Sequence, residues 1–177
     1  MKNDILEVLY TNDEIILKAQ ELGKRITKDY ENQELIIVGL LKGCAPFMME
    51  LIKSIDLYAK LDFMTVSSYV GTSSGDLILK RDISFDVKNT HVLIVEDIVD
   101  TGRTLTAVCD MLKNRGALSV EVCTLLDKKE GRIVDFTPKY IGFDIPNKFV
   151  VGYGLDYNEL YRNLPFVGVL KKEVYEK

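Results

Sequence analysis

Residues 92–104 constrain the fold of this chain more than any other stretch of its sequence. An uninterrupted apolar run, residues 92–95, leads directly into two adjacent carboxylates, Glu96 and Asp97. An apolar pair follows, and the sequence Asp-Thr-Gly-Arg-Thr at residues 100–104 then opens a helical pattern. A short apolar run of this kind is typical of a strand buried on both faces of a parallel sheet. We therefore expect a strand, a polar turn and a helix in immediate succession.

The other helical patterns also begin and end at recognisable residues. Thr11 and Glu14 form a capping box, which opens a helix whose apolar residues fall on one face. Pro46 suits the first turn of a second helix, whose apolar positions extend to Ile55. Gly116 is placed to end the helix that follows the polar turn.

Short apolar or alternating runs predict the strands. An alternating run at residues 57–65 and a second run at residues 77–79 predict an antiparallel hairpin with one solvated face. The remaining candidates are residues 35–41, 91–95, 120–126, 140–143 and 149–151. Strands that alternate with helices through short turns indicate an α/β fold with a mainly parallel sheet flanked by helices. No linker-like stretch divides the sequence, so residues 1–177 are expected to form one domain.

The charge balance narrows the classes of partner and compartment. Lysine and arginine total 23 against 27 aspartate and glutamate residues, for a formal net charge of -4. Nucleic acids and anionic membranes attract proteins with an excess of basic side chains, so we expect neither partner.

No stretch reaches the roughly 18 apolar residues of a membrane span, and none resembles a signal peptide. The cysteines have no C-x-x-C spacing, which is typical of free thiols in a reducing cytosol.

The residues that could bind a ligand follow immediately after the apolar run at residues 92–95. In a parallel sheet, ligands bind at the carboxyl ends of the strands. Thr101, Gly102 and Thr104 would offer hydroxyls and unpaired backbone N–H groups to a phosphate at a helix N-terminus. Glu96 and Asp97 cannot hold a phosphate because like charges repel, but they can accept hydrogen bonds from sugar hydroxyls or help to hold Mg²⁺. The combination predicts a site for a phosphorylated sugar.

A simpler interpretation gives these residues no function. Asp100 or Thr101 would cap the helix, and Glu96 and Asp97 would be solvated residues at a strand end. Capping accounts for one acidic residue but not for three that flank the same turn. We therefore favour the phosphate site.

Residues 92–104 also resemble the phosphoribosyl-diphosphate-binding signature of type I phosphoribosyltransferases. Further motifs follow in the order of the hypoxanthine–guanine phosphoribosyltransferases of purine salvage, and the resemblance extends from about Ile5 to Tyr175. These motifs are Leu41-Lys42-Gly43, Ser67-Ser68-Tyr69, residues 125–128 and residues 149–157. The resemblance implies the type I phosphoribosyltransferase fold, with a flexible antiparallel hairpin and a small hood region beside the main sheet.

The resemblance assigns most of the polar residues to phosphoribosyl diphosphate. It implies that the 5′-phosphate is surrounded by Thr101, Gly102, Arg103 and Thr104. The ribose hydroxyls would meet Glu96 and Asp97, and the diphosphate would meet Lys42, Gly43 and Arg162. In the family, a cis peptide bond often precedes the lysine of the diphosphate loop. Mg²⁺ is the implied cofactor, with candidate ligands Glu96, Asp97 and Asp156.

The remaining motifs are implied to contact the purine base. Asp100 would exchange a proton with purine N7, and Lys128 would hydrogen-bond the oxygen at C6. Because an ammonium group only donates, Lys128 favours an oxygen over the amino group of adenine. Phe149 resembles the aromatic residue that stacks on the base, and Val150 presents backbone groups to its edge. The family's mobile lid would begin at Ser68 and Tyr69.

The implied reaction is Mg²⁺-dependent transfer of a 5-phosphoribosyl group to N9 of hypoxanthine or guanine, which gives IMP or GMP and diphosphate. Such enzymes are glycosyltransferases of purine salvage, usually cytoplasmic homodimers or homotetramers. Within the enzyme class, a preference for xanthine is the nearest alternative. A regulator that senses nucleotides and binds RNA or DNA is the alternative from another class. It would be expected to carry a concentrated basic face, which this sequence does not show.

Overall fold

The computed structural model of the protein describes residues 1–68 and 77–176. The strands in these residues are β1 (Ile5–Tyr10), β2 (Leu35–Leu40), β3 (Ala59–Ser68), β4 (Leu77–Arg81), β5 (His91–Val99), β6 (Ser119–Asp127), β7 (Tyr140–Asp144), β8 (Val150–Val151) and β9 (Val167–Leu170). The helices are α1 (Asn12–Asp29), α2 (Ala45–Ile52), α3 (Arg103–Asn114) and α4 (Lys172–Tyr175). Among these described helices, none is long and apolar enough to cross a membrane.

The main sheet has the strand order β4-β3-β2-β5-β6-β7. Its strands run parallel, except for β4, which pairs with β3 in the antiparallel direction. One buried apolar cluster includes residues of α1 and α2, and another includes residues of α3. Val99 lies opposite Asp127, so the carboxyl ends of β5 and β6 meet at one edge. The predicted α/β class, with a mainly parallel sheet and an antiparallel hairpin, is confirmed.

A second sheet is antiparallel and has the order β1-β9-β8. Ile5 pairs with Leu170, and Val150 pairs with Val169, so this sheet joins the first strand to the last. It corresponds to the predicted hood region. The sequence patterns do not predict β1 and β9, because β9 is short and β1 exposes apolar side chains such as Leu6.

The predicted helix ends agree with the structure in most cases. Thr11 accepts a hydrogen bond from the Glu14 N–H, and the Glu14 carboxylate accepts one from the Thr11 N–H, so the capping box is confirmed. Gly102 at the start of α3 and Gly116 after its end have φ angles of 83° and 89°, which favour glycine. The helix that contains Pro46 ends earlier than predicted, and Ile55 lies beyond it.

The predicted apolar face of the hairpin strand is partly wrong. β3 begins at Ala59, and Leu61 is 43% exposed whereas the neighbouring Asp62 is buried. The Asp62 carboxylate accepts hydrogen bonds from the N–H groups of Phe63 (2.7 Å) and Ser84 (2.5 Å). These bonds satisfy a carboxylate that the alternating pattern alone would place in solvent.

Candidate active site

Glu96 and Asp97 lie within β5, close to its carboxyl end. Oε2 of Glu96 is buried and accepts no hydrogen bond from the described residues. Burial and the charge of Asp97 raise the pKa of Glu96 well above its ordinary value. Burial likewise raises the pKa of Asp97 to about 6, although its Oδ1 accepts a hydrogen bond from the Ile98 N–H at 2.9 Å. A buried carboxylate oxygen of this kind is an open acceptor for a ligand hydroxyl.

The loop formed by residues 41–43 lies between Asp97 and Gly154. The peptide bond between Leu41 and Lys42 is cis, as the resemblance implies. A Cβ atom on Gly43 would lie 1.8 Å from Oδ2 of Asp97, and a Cβ on Gly154 would lie 1.9 Å from the Gly43 carbonyl oxygen. Gly154 also has a φ angle of 102°, so only glycine fits there, whereas a side chain at position 43 would require the Asp97 carboxylate or the loop to move.

The turn between β5 and α3 encloses a small cavity. Its volume is about 160 Å³, and it is lined by Glu96, Ile98, Val99, Asp100, Thr101, Gly102, Thr104 and Leu105. The Arg103 N–H donates to Oγ1 of Thr101 at 3.4 Å. Arg103, the first residue of α3, is exposed. The helix N-terminus therefore borders this cavity, and such ends favour anions.

Asp100 and Lys128 form an ion pair beside this cavity. Nζ of Lys128 lies 2.8 Å from Oδ2 of Asp100, and their side chains are 13% and 46% exposed. The Lys128 N–H donates to the Val99 carbonyl at 2.9 Å, which ties the two strand ends together. A Cβ on Gly131 would lie 1.8 Å from Oδ1 of Asp100, so the following turn packs closely against the carboxylate.

Arg132 hydrogen-bonds to the backbone of Asp100. Its Nε donates to the Asp100 carbonyl oxygen at 3.0 Å. Its guanidinium also donates to the buried Asp127 carboxylate and to the Phe136 carbonyl oxygen. The backbone position of Asp100 is therefore fixed by an arginine that is itself held by a buried carboxylate.

A second charged cluster lies between the residue 41–43 loop and residues 154–162. Arg162 donates to the Gly154 carbonyl at 2.7 Å, and its Nη2 lies 2.7 Å from Oδ1 of Asp156. Glu159 contacts both Lys42, at 2.7 Å, and Arg162, at 3.4 Å. Two cationic side chains from distant parts of the chain thus converge on one place.

Phe149 is 38% exposed and belongs to a cluster of three aromatic rings. Its ring stacks on Tyr175 with centroids 4.8 Å apart and meets the ring of Tyr157 edge-on at 5.7 Å. Val150 is buried and pairs with Val169 in the hood sheet. The hood therefore holds a partly open aromatic ring whose orientation is set by its neighbours.

The structure brings several predicted site residues together although they are far apart in the sequence: Gly43 with Asp97, Asp100 with Lys128, and Lys42 with Arg162 through Glu159. Phe149 and Val150 lie at β8 in the second sheet. Ser68 is the last residue of β3, and Tyr69 lies outside the described residues. Arg132 and Glu159 were missed. Both are polar residues in irregular segments, and no periodicity or motif marks them; Glu159 finds Lys42 only through the fold.

A family model described as the phosphoribosyl transferase domain matches residues 6–158, so the fold and the site define a phosphoribosyltransferase. The hypoxanthine-guanine phosphoribosyltransferase of Streptococcus pneumoniae is 56% identical over 177 residues, which cover 99% of this chain and 98% of the relative. That of Lactococcus lactis is 56% identical over 175 residues, which cover 98% and 95%. The crystal structure of a hypoxanthine phosphoribosyltransferase from Staphylococcus aureus has a TM-score of 0.97 at 49% identity and covers 100% of this chain and 97% of that one.

The chain belongs to the hypoxanthine-guanine phosphoribosyltransferase family. The resemblance noted in the sequence is therefore confirmed along the whole chain, and so is the type I phosphoribosyltransferase fold that it implied.

Proposed function

We propose that the chain transfers the 5-phosphoribosyl group of phosphoribosyl diphosphate to N9 of hypoxanthine or guanine, giving IMP or GMP and diphosphate. The activities named for its relatives support this reaction. The observation that carries it is the 2.8 Å contact between Lys128 and Asp100, next to a cavity that Asp100 itself lines. This contact sets a hydrogen-bond donor and a proton acceptor side by side next to the N-terminus of α3.

The Lys128–Asp100 pair matches one edge of a 6-oxopurine. O6 and N7 of guanine are neighbours on the same edge of the base. The ammonium of Lys128 donates to O6, and Asp100 accepts the N7 proton as N9 bonds to C1′ of the ribose. The C1′–oxygen bond breaks in the same step and diphosphate leaves with the bonding electrons. Phe149 stacks on the base, and backbone groups of Val150 meet its edge.

The remaining polar residues hold the sugar phosphate. The 5′-phosphate enters the cavity at the start of α3, which is lined by residues 100–102 and Thr104, and it accepts hydrogen bonds from backbone N–H groups and threonine hydroxyls. Arg103 lies between these residues, at the start of α3. Glu96 and Asp97 accept hydrogen bonds from the ribose hydroxyls; the unpartnered Oε2 of Glu96 supports this role. Lys42 and Arg162 bind the diphosphate, with the Gly43 backbone close by.

The donor set of this site fits Mg²⁺ bound together with substrate. Among the described residues, no group of three or more histidine, cysteine, aspartate or glutamate side chains could hold a metal ion by itself. Mg²⁺ commonly takes only one or two carboxylates and completes its shell with water and substrate phosphates. Glu96, Asp97 and Asp156 are the carboxylates that would hold it, although Asp156 also contacts Arg162. When bound, the ion supplies charge stabilisation for the leaving diphosphate.

One assay tests the proposed activity directly. The purified chain is incubated with phosphoribosyl diphosphate, Mg²⁺ and, in turn, hypoxanthine, guanine, xanthine or adenine, and nucleotide formation is followed. We expect transfer to hypoxanthine and guanine. Transfer to adenine alone would contradict the role of Lys128, and no transfer to any base would overturn the proposed activity.

We also propose that residues 1–177 act as one domain, in a cytoplasmic homodimer or homotetramer. The hood sheet supports the first point, because it pairs β1 with β9 from opposite ends of the chain. The compartment is supported by Cys44, Cys109 and Cys123, which are buried free thiols of the kind a reducing environment preserves. Light scattering of the purified chain would measure the assembly.

A further inference from the structure

Glu159 is the one acidic residue in the described chain whose carboxylate contacts both Lys42 and Arg162. Its Oε2 lies 2.7 Å from Nζ of Lys42, and its Oε1 lies 3.4 Å from Nη2 of Arg162. Both cations lower the pKa of Glu159 through hydrogen bonds and charge, Lys42 most strongly. The two groups proposed to bind diphosphate are therefore already bridged by an anion of the protein itself.

The backbone presents this carboxylate from a tight turn. Tyr157 and Leu160 pair across the turn, with hydrogen bonds of 3.2 and 3.0 Å. The two central residues, Asn158 and Glu159, have φ angles of 51° and 63°, as in a type I′ turn. The Glu159 N–H donates to Oδ2 of Asp156 at 2.9 Å. Glycine is the usual residue at the second central position of such a turn, so the turn itself does not require a glutamate there.

We infer that Glu159 is an internal counter-anion that diphosphate must displace, and that it thereby weakens the binding of phosphoribosyl diphosphate and speeds the release of diphosphate. This inference rests on the proposed function. The carboxylate offers two oxygens to Lys42 and Arg162, as a phosphate would, but it carries a single charge. A polyanion with more charge and more acceptors therefore replaces it on the same cations.

Diphosphate can readily replace the Glu159 carboxylate, because this ion pair is largely exposed to solvent. The side chains of Lys42 and Glu159 are 65% and 63% exposed, and that of Arg162 is 26% exposed. An exposed ion pair of this kind changes an equilibrium by up to about fivefold. The competition is therefore strong enough to tune affinity and too weak to block the site.

Glu159→Gln tests the inference, because it removes the charge and keeps the size of the side chain. We expect the Kd of inorganic diphosphate with Mg²⁺, measured by titration calorimetry, and the KM for phosphoribosyl diphosphate to fall together by about two- to fivefold. The KM for the purine should not change. The difference in diphosphate affinity between Glu159→Gln and the wild type should become smaller as the salt concentration is raised, because exposed charges are screened.

Two further variants distinguish the effect of the Glu159 charge from an effect on the turn or on the overall charge. Glu159→Gly also removes the carboxylate and suits the turn better, so it should tighten diphosphate binding as Glu159→Gln does. Glu21→Gln removes the same charge from an exposed pair with Lys18 on α1 and should leave diphosphate binding unchanged. Unchanged or weaker diphosphate binding in both Glu159 variants would overturn this inference alone. If the wild-type chain neither binds diphosphate nor forms nucleotide, the proposed function fails with it.

Discussion

The Lys128 ammonium lies 2.8 Å from the Asp100 carboxylate, and the lysine is the more buried of the two partners. In this arrangement each group neutralises the other, so neither is left as an isolated charge at the strand ends. O6 and N7 are neighbours on one edge of a 6-oxopurine. A base that carries a proton on N7 can replace this direct contact with two hydrogen bonds, in which O6 accepts from Lys128 and N7–H donates to Asp100. The pair therefore suits the role proposed for it in holding one edge of the base.

Replacing Asp100 by asparagine should slow turnover sharply. Asp100→Asn keeps the shape of the side chain but removes the carboxylate that is proposed to accept the N7 proton. General acid–base catalysis is typically worth roughly 10²–10⁴ in rate, and we expect kcat to fall within that range while the fold is retained. Asp110→Asn, on the exposed face of α3, is the matched control. Turnover near that of the wild type would refute the role of Asp100.

Replacing Lys128 by glutamine should erode the choice between oxo- and aminopurines. An ammonium only donates, whereas an amide can also accept from the amino group of adenine. Hydrogen bonds to charged groups contribute about 1.5–3 kcal/mol, so we expect the ratio of kcat/KM for hypoxanthine to that for adenine to fall by about 10- to 100-fold. Lys129→Gln, which removes an exposed partner of Asp144, should leave the ratio unchanged. An unchanged ratio in Lys128→Gln would show that groups other than Lys128 distinguish hypoxanthine from adenine.

Adding one methyl group to Gly43 should damage the diphosphate side of the site. Its Cβ would lie 1.8 Å from Oδ2 of Asp97, so the loop or the carboxylate must move. Misplacement by an ångström can cost about 100-fold in rate, and we expect kcat/KM for phosphoribosyl diphosphate to fall by about 10- to 100-fold in Gly43→Ala. Gly116→Ala, at a φ of 89° far from the site, should cost about 1 kcal/mol of stability and leave kcat/KM unchanged.

Much of this architecture could be predicted from the sequence, because local patterns determine it. The capping box at Thr11, the apolar face of α3 and the glycine that ends it depend on residues within a few positions of each other. The polar turn before α3 is also local, and it was correctly placed after a parallel strand. The end of that strand was predicted at Val95, which is wrong, because β5 continues to Val99 and contains Glu96 and Asp97. These features follow from hydrophobic periodicity and from turn chemistry.

The contacts that complete the site could not be predicted in this way. Glu159 reaches Lys42, and Arg132 reaches the Asp100 carbonyl, only once the sheet has formed. Asp62 is buried because two backbone N–H groups satisfy it, which an alternating pattern does not reveal. In the hood, β8 falls within the predicted strand at residues 149–151, but β1 and β9 were not predicted, and these two strands pair across distant parts of the chain. Long-range polar contacts leave no periodic trace in a sequence.

Breaking the Asp127–Arg132 pair should destabilise the fold. Asp127 and Arg132 side chains are 1% and 13% exposed. Removing one partner of a buried pair leaves an uncompensated charge and typically costs about 3–5 kcal/mol. We expect a loss of this size in the free energy of unfolding of Asp127→Asn, measured with denaturant. Asp144→Asn breaks an exposed pair with Lys129 and should cost less than about 1 kcal/mol. Equal losses in the two variants would contradict the buried role.

Asp97 should make the stability of the chain depend on pH between about 4 and 6. Burial raises the pKa of Asp97 from 3.8 to about 6. Within this interval the folded chain holds a proton that the unfolded chain has already lost, so stability falls as pH rises. Below pH 3.8 both states are protonated and above pH 6 both are ionised, so Asp97 adds no slope outside the interval. Glu96, whose pKa is also raised, acts in the same direction.

Unfolding curves in Mg²⁺-free buffer across this interval measure the effect. Asp97→Asn removes one titrating group and the smaller, charge-based cause of the Glu96 shift. The fall in stability between pH 4 and 6 should therefore become shallower, and the part that remains comes from Glu96, whose pKa is still raised by burial. Asp56→Asn, at an exposed position, should retain the wild-type slope. If Asp97→Asn kept the full wild-type slope, Asp97 would titrate alike in the folded and unfolded chains. Burial would then not raise the pKa of Asp97, and this carboxylate would already be charged before any sugar hydroxyl approached it.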